Sequence, residues 1–141
     1  MRYIKTYRLF ENDSVWKTEE EKNQDIDSIK SMFGDLSDDN MYNIEVSHVG
    51  IFDKSTLNIS LSLVGGKAKY GLFRWSDVKS NIYQVLDMMD DKYEFIKMEI
   101  YRYNPSGRNP LEELFVYSID DLSNLKDKDK LKNINIYLSL K

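Results

Sequence analysis

The stretch Ser76–Tyr103 reads SDVKSNIYQVLDMMDDKYEFIKMEIYRY and carries two hydrophobic periods in succession. In its first half, apolar residues recur at helical spacing and form one stripe, made of Val78, Ile82, Val85, Leu86 and Met89. From Tyr93 onward, apolar and polar residues alternate as they do in a β-strand. The stretch therefore predicts a helix over 76–91 that a tight turn joins to a strand over 93–103.

The predicted strand over 93–103 has two unlike faces, because alternate side chains of a strand point to opposite sides. One face is aliphatic and holds Ile96, Met98 and Ile100. The other face is aromatic and charged and consists of Phe95, Lys97, Glu99, Tyr101 and Tyr103. We expect the aliphatic face to pack against the helix and the second face to remain half exposed.

A second helix is predicted nearer the start of the chain. Thr18 and Glu21 have the spacing of a capping box. In this motif, each of the two side chains accepts a hydrogen bond from the backbone N–H of the other residue. An apolar stripe follows and leads to Gly34, a residue that commonly ends helices. We therefore expect a helix that ends at Gly34 and an acidic loop over 35–40.

Three strands are predicted between this loop and Ser76. The first covers 41–53, and its apolar residues change parity near His48, which indicates a bulge there. The second covers 56–64 with regular alternation, and the Gly65-Gly66 pair after it is typical of a hairpin turn. The third would return over 67–75. Together these strands would form a meander that leads into the helix.

The C-terminal part of the chain adds further strands. One strand should begin near Leu111, and a short helix should follow over 119–125. A final strand with regular aliphatic alternation is predicted over 133–140. The fold class is α+β, a two-layer sandwich in which two main helices pack on one face of an antiparallel sheet of about five to six strands.

Composition limits the classes of protein that this chain can be. It has 141 residues, a formal net charge of −4 and no cysteine, so it forms no disulfide and no thiolate zinc site. No apolar run reaches the roughly 20 residues of a membrane span. We interpret residues 1–11 as a basic amphipathic N-terminal segment and residues 12–141 as one α+β domain.

The sequence contains no recognisable catalytic or metal-binding constellation. His48 is the sole histidine, and no nucleophile signature accompanies it. Carboxylates occur in solvated runs such as Glu19–Glu21, where no raised pKa is expected. These observations predict a protein without enzymatic activity, cofactor or metal site.

Two groups of basic and aromatic residues are the candidate binding surfaces. The first consists of Lys67, Lys69, Tyr70, Phe73, Arg74 and Trp75. The second consists of Tyr101, Arg102, Tyr103 and Arg108. Such residues can stack nucleobases and contact phosphates, and Tyr, Trp and Arg are also the usual anchors of protein interfaces. The negative net charge favours a protein partner, with nucleic-acid binding by a basic, aromatic sheet face as the alternative.

The N-terminal segment has its own pattern. Arg2, Lys5 and Arg8 recur every three residues, and Lys5–Glu11 reads KTYRLFE. This segment resembles the leader of internal head proteins of large tailed bacteriophages. In that family the leader targets a protein into the assembling capsid, and a phage protease cuts after a glutamate two residues past Leu or Ile. Leu9, Phe10 and Glu11 match that cleavage pattern.

These observations lead to one functional hypothesis. The chain is predicted to be a non-enzymatic accessory protein of phage type that acts by binding a protein, either a host factor or a neighbour in the virion. The resemblance implies a location in the host cytoplasm or in the virion. The leading contact candidates are Arg74, Trp75, Tyr101 and Tyr103. The sequence predicts no oligomeric state.

Overall fold

The computed structural model describes residues 15–38, 41–51, 54–63, 71–108 and 110–141. The helices in these ranges are α1 (Glu19–Met32), α2 (Gly34–Asp38), α3 (Trp75–Met89) and a 3₁₀ helix (Ile119–Asn124). The strands are β1 (Tyr42–Ile51), β2 (Lys54–Leu63), β3 (Phe73–Arg74), β4 (Tyr93–Tyr103), β5 (Leu111–Val116) and β6 (Lys130–Leu140). None of the described helices is long and apolar enough to cross a membrane.

The strands form one antiparallel sheet in the order β1-β2-β6-β4-β5, and β3 pairs with β6 beside this path. The helices cover one face of the sheet, and the core lies between the two layers. On the α3 side this core contains Val78, Ile82 and Val85, all with no exposed surface. The structure therefore confirms the predicted α+β class and the two-layer arrangement.

The last strand, β6, lies in the middle of the sheet between β2 and β4. Its side chains Ile134, Ile136 and Leu138 are at most 2% exposed. The predicted meander is wrong, because β2 pairs with β6 and not with a strand over 67–75. In the part of that range that is described, only Phe73–Arg74 is strand, and it also pairs with β6. A long strand with unbroken aliphatic alternation buries more apolar surface at the centre than a short return strand would.

A β-bulge in β4 changes which side chains meet the helices. Phe95 pairs with Leu138 and Lys97 pairs with the next residue, Tyr137, so Ile96 is the extra residue of the bulge. Ile96 is 40% exposed, whereas Phe95 packs against the core. The prediction for these two residues is wrong because one inserted residue reverses the parity of the strand before it. Beyond the bulge, Met98 and Ile100 are fully buried as predicted.

Strand β1 pairs with β2 in an unbroken register. The register runs from Tyr42 opposite Leu63 to Ile51 opposite Lys54, so the bulge predicted near His48 does not form. Val49 instead lies on the outer face of the sheet and is half-buried there. The parity change in the sequence therefore places one apolar side chain, Val49, on the outer face and does not interrupt the strand pairing.

The end of α1 differs from the prediction because α3 holds it. Only the N-cap half of the predicted capping box forms: Thr18 Oγ1 accepts a hydrogen bond from the Glu21 N–H at 3.0 Å, while the Glu21 carboxylate accepts from the Lys17 N–H. Beyond Met32, however, Gly34 begins α2 and does not start an acidic loop. The buried Asn81 amide on α3 donates 2.9 Å hydrogen bonds to the Met32 carbonyl and to Asp35 Oδ1. These bonds fix the α1–α2 junction, where a free helix end would leave backbone groups unsatisfied.

Helix α3 begins one residue earlier than predicted. Asp77 Oδ2 accepts a 3.2 Å hydrogen bond from the Arg74 N–H, which satisfies a donor at the helix start. The N–H groups of Trp75 and Ser76 donate to the carbonyls of Asp129 and Asp127 in the loop before β6. The first turn of α3 is therefore tied to the central strand.

Candidate functional site

The first predicted patch does not form a surface among the described residues. Lys67, Lys69 and Tyr70 lie outside the described residues. Trp75 is 1% exposed in the first turn of α3, and its ring contacts Tyr83 edge-on at 6.3 Å. The prediction of Trp75 as a contact residue is therefore wrong, because its ring fills the core and cannot reach a partner. Arg74 is exposed, as the prediction requires.

The second predicted patch is divided between the two faces of the sheet. Tyr101 and Tyr103 lie on the outer face of the sheet. Arg102, which lies between them in the sequence, points toward the face that the helices cover. The Arg102 guanidinium donates to Glu112 Oε1 at 2.7 Å and lies 3.6 Å from Asp129 Oδ2. Hydrogen bonds from Asn104 and Arg102 lower the pKa of the Glu112 carboxyl. The positive charge of Arg102 is thus compensated within the chain.

Arg108 lies in the turn between β4 and β5. This turn is closed by a 2.7 Å hydrogen bond from the Asn104 N–H to the Pro110 carbonyl. Its first residue also organises it locally, since Asn104 Oδ1 accepts a 2.8 Å hydrogen bond from the Ser106 hydroxyl. Arg108 is exposed at this tip, away from the paired positions of the strands. It can contribute to a binding surface only at the rim.

The structure assembles a different surface on the outer face of the sheet, which none of the described helices covers. We call it the tyrosine face, and it consists of Lys97, Tyr101, Tyr103, Phe115, Tyr117 and Tyr137. Strand pairing brings these residues together: Lys97 on β4 lies opposite Tyr137 on β6, and Phe115 on β5 lies opposite Glu99. Three of the rings are well exposed, with 37% of Tyr103, 47% of Phe115 and 67% of Tyr117 accessible. A rigid sheet therefore presents aromatic side chains to solvent.

The rings of the tyrosine face are arranged around an ammonium group. Phe115 and Tyr117 stack with centroids 6.4 Å apart and planes inclined by 18°. Lys97 Nζ lies 5.1 Å from the ring centroid of Tyr137 and 6.0 Å from that of Phe115. Both distances are within the range of cation–π interactions.

Carboxylates complete the electrostatics of this surface. Glu99 Oε1 lies 2.9 Å from Lys97 Nζ, and the hydrogen bond between them raises the pKa of the Lys97 ammonium. Glu113 Oε1 accepts a 3.1 Å hydrogen bond from the Tyr101 hydroxyl, which raises the pKa of Tyr101. The tyrosine face is therefore aromatic with an acidic component, and not the basic surface that the sequence suggested.

Sequence reasoning predicted part of this surface and missed the rest. The alternation of 97–103 identified Lys97, Glu99, Tyr101 and Tyr103 as outward-facing, and the structure places them there. It missed Phe115, Tyr117 and Tyr137, because their approach to β4 depends on strand pairing across the sheet. The two-residue spacing of Phe115 and Tyr117 was a usable signal, since it places both rings on one side of a strand.

A second polar cluster joins α1 to the end of the sheet. Trp16 Nε1 donates to the Tyr93 hydroxyl at 2.7 Å, and that hydroxyl donates to Asp25 Oδ2 at 2.5 Å. Lys92 Nζ lies 2.8 Å from the same Asp25 oxygen and 3.0 Å from Glu21 Oε1. Burial and the hydrogen bond to Asp25 raise the pKa of Tyr93, so its hydroxyl keeps its proton at neutral pH. The hydrogen-bonding groups of the cluster are paired with one another, and these bonds hold the first half of α1 against the end of the sheet.

A cavity of about 400 Å³ opens beside this cluster. Its lining is mixed in charge and includes Lys17, Glu21, Asp91, Lys92 and Lys141. Three lysines and two carboxylates line it, and Lys92 and Glu21 already bind each other.

The sole histidine lies near the same end of the molecule. His48 is exposed, and its ring meets the Trp16 ring edge-on with centroids 4.8 Å apart. In the described parts of the chain, no three Asp, Glu or His side chains converge to hold a metal ion. The aromatic contact with Trp16 is thus the interaction that the structure assigns to His48.

Comparison with known proteins gave no match. No family model matches the chain, and the searches of curated proteins and of solved structures found no match either. The resemblance of Met1–Glu11 to phage leaders stays a prediction, because Leu9, Phe10 and Glu11 lie outside the described residues.

Proposed function

We propose that this protein is a non-enzymatic accessory protein that acts by binding another protein through the tyrosine face. The observation that carries the proposal is the stacked, exposed pair Phe115 and Tyr117 on the face that no described helix covers. Large aromatic side chains exposed side by side cost hydration free energy, and in protein surfaces such groups mark interaction sites.

The support for these rings is rigid, which favours a binding role. Beneath the tyrosine face, Met98, Ile100 and Ile136 are at most 1% exposed and anchor β4 and β6 in the core. Strand β5 carries Phe115 and pairs with β4 from Leu111 to Val116, so a partner that covers Phe115 orders few additional backbone groups. Preorganised aromatic anchors of this kind supply most of the binding free energy in many interfaces.

The charges of the tyrosine face favour a protein partner over nucleic acid. A phosphate backbone placed here would meet Glu99 and Glu113, and Lys97 is already paired with Glu99. Nucleic-acid affinity depends on lysine and arginine side chains that replace the counterions of phosphates. The alternative surface of Lys67, Lys69, Tyr70 and Arg74 would have to supply those cations.

The biological setting that we propose follows from the N-terminal resemblance. The protein would be phage-encoded and would act on a host factor in the host cytoplasm or on a neighbour in the virion. The mass of the protein from native particles tests the virion setting. A chain that begins at Asn12 is the expected result, and a chain that keeps Met1 would contradict capsid processing.

The binding role is tested by replacing the two exposed rings. In a quantitative affinity capture from host lysate, the double variant Phe115→Ser, Tyr117→Ser should lose the captured partner by at least about tenfold. Its thermal unfolding midpoint should stay close to that of the parent, because Phe115 is 47% and Tyr117 67% exposed and neither belongs to the core. The control is Met88→Ser, which removes an apolar side chain that is 63% exposed on α3.

Two results would contradict the proposal. One is capture that is unchanged in the double variant, and the other is capture that falls equally in the Met88→Ser control. A salt-sensitive band shift with single-stranded DNA or RNA that is lost in Lys69→Glu would favour the nucleic-acid alternative instead.

A further inference from the structure

The structure suggests the chemistry of the partner, an inference that rests on the proposed function. We propose that the segment which docks on the tyrosine face is cationic, and that its Arg or Lys side chains lie between the exposed rings and the carboxylates of the sheet. The occupant is thus a basic segment of a protein.

The protein itself shows how this face accommodates a cation. The Lys97 ammonium lies over the rings of Tyr137 and Phe115 while Glu99 neutralises it at 2.9 Å. Two aromatic rings and one carboxylate therefore already form a cation site in the folded chain. The stack continues past this site to Tyr117, which is 67% exposed.

The charge of the surrounding face is complementary to such a segment. Strand pairing places Glu45, Glu94, Glu99 and Glu113 at outward positions across the sheet. Lys97 and Lys54 also occupy outward paired positions, so four glutamates stand against two lysines and the net charge of these positions is negative. A negative face attracts basic partners and repels acidic ones, and the effect weakens as salt is added.

Glu113 is the carboxylate best placed for a guest. It lies on the edge strand β5, is exposed, and uses Oε1 for the Tyr101 hydroxyl. An arginine that stacks on Tyr117 or Phe115 could bind this carboxylate at the same time. The planar guanidinium suits both contacts, because it stacks on rings and donates to carboxylates in one plane.

The test uses a synthetic peptide of alternating Arg and Ser and the isotope-labelled full chain. We expect peptide-induced NMR shifts at the amides of Tyr101, Phe115 and Tyr117 at about 50 mM salt, and much smaller shifts at about 300 mM. A peptide of alternating Glu and Ser should cause none of these shifts. The double variant Glu99→Gln, Glu113→Gln should weaken binding about fivefold.

The matched control removes two carboxylates from the helices. Glu20→Gln, Asp87→Asn changes the net charge by the same amount, and both side chains are exposed. Equal weakening in this control would mean that only net charge matters and would overturn the inference. Shifts that map to the acidic turn Glu19–Glu21 would overturn it as well.

Two further outcomes separate this inference from neighbouring ones. If Arg2→Gln, Lys5→Gln, Arg8→Gln raises affinity for the peptide, the face belongs to the chain's own basic segment and the partner assignment fails. If Phe115→Ser, Tyr117→Ser abolishes partner capture while Glu99→Gln, Glu113→Gln leaves it intact, protein binding stands and the cationic partner does not.

Discussion

Asn81 illustrates how single residues position the elements of this protein. It is a polar residue of α3, yet it is only 7% exposed and bonds the end of α1 and the start of α2. A buried amide is stable only when its hydrogen-bonding groups are paired. The polar residue thus specifies where the α1–α2 junction docks.

At the same scale, Glu21 makes the stability of the first turn of α1 dependent on pH. Hydrogen bonds from Lys92 and from the Lys17 N–H lower the pKa of Glu21 below its usual value of 4.5. The ionised form is therefore favoured in the folded protein. Its contribution to stability is present above about pH 4.5 and is lost as the pH falls through the lower folded-state pKa.

The measurement is the urea midpoint of the parent and of Glu21→Gln between about pH 7 and pH 2. The variant should be slightly less stable at neutral pH, and the difference should disappear at the acid end. The control is Glu20→Gln, which removes an exposed carboxylate on the same helical turn and should leave the urea midpoint at neutral pH close to that of the parent. A difference that persists unchanged at low pH would mean that the carboxylate charge is not the cause.

At the scale of elements, the bulge in β4 is the feature that most affects packing. It directs Phe95 toward the core and leaves Ile96 40% exposed. Phe95→Ala should therefore cost about 2 kcal/mol or more of unfolding free energy. Ile96→Ala should cost less than about 1 kcal/mol.

Denaturant unfolding of the two variants side by side checks this order. A strand without a bulge would bury Ile96 and turn Phe95 outward, so Ile96→Ala would then lose more unfolding free energy than Phe95→Ala. A larger loss for Ile96→Ala would therefore show that the bulge is misplaced. The comparison is sharp because the two positions are adjacent in one strand.

At the scale of the whole molecule, the fold depends on its last strand. β6 is the 11-residue centre of the sheet and pairs with β2, β3 and β4. Without it, the β1–β2 hairpin and the β4–β5 hairpin would have no strand between them. Isolated two-stranded hairpins are at best marginally stable in water.

Removal of residues 130–141 should consequently unfold the chain. The truncated protein should lose the dispersed amide signals of a folded sheet in its NMR spectrum and the cooperative transition in thermal melts. A truncated chain that still melts cooperatively would mean that the hairpins are stabilised without β6.

The sequence by itself determined the α+β class, the period of each long element and the outward placement of Lys97, Glu99, Tyr101 and Tyr103. These features are encoded locally, because helical and strand periods and caps involve residues only a few positions apart. The local pattern therefore predicted the three residues of the tyrosine face that lie on β4, which are Lys97, Tyr101 and Tyr103.

The tertiary structure alone decided the central position of β6, the bulge at Ile96, the burial of Trp75 and the pairing of Arg102 with Glu112. It also brought Phe115, Tyr117 and Tyr137 beside β4. Strand order and register depend on contacts between residues far apart in the chain, and one inserted residue reverses a strand's faces. A local pattern therefore predicts which residues alternate, while the pairing of distant strands decides which surface they form together.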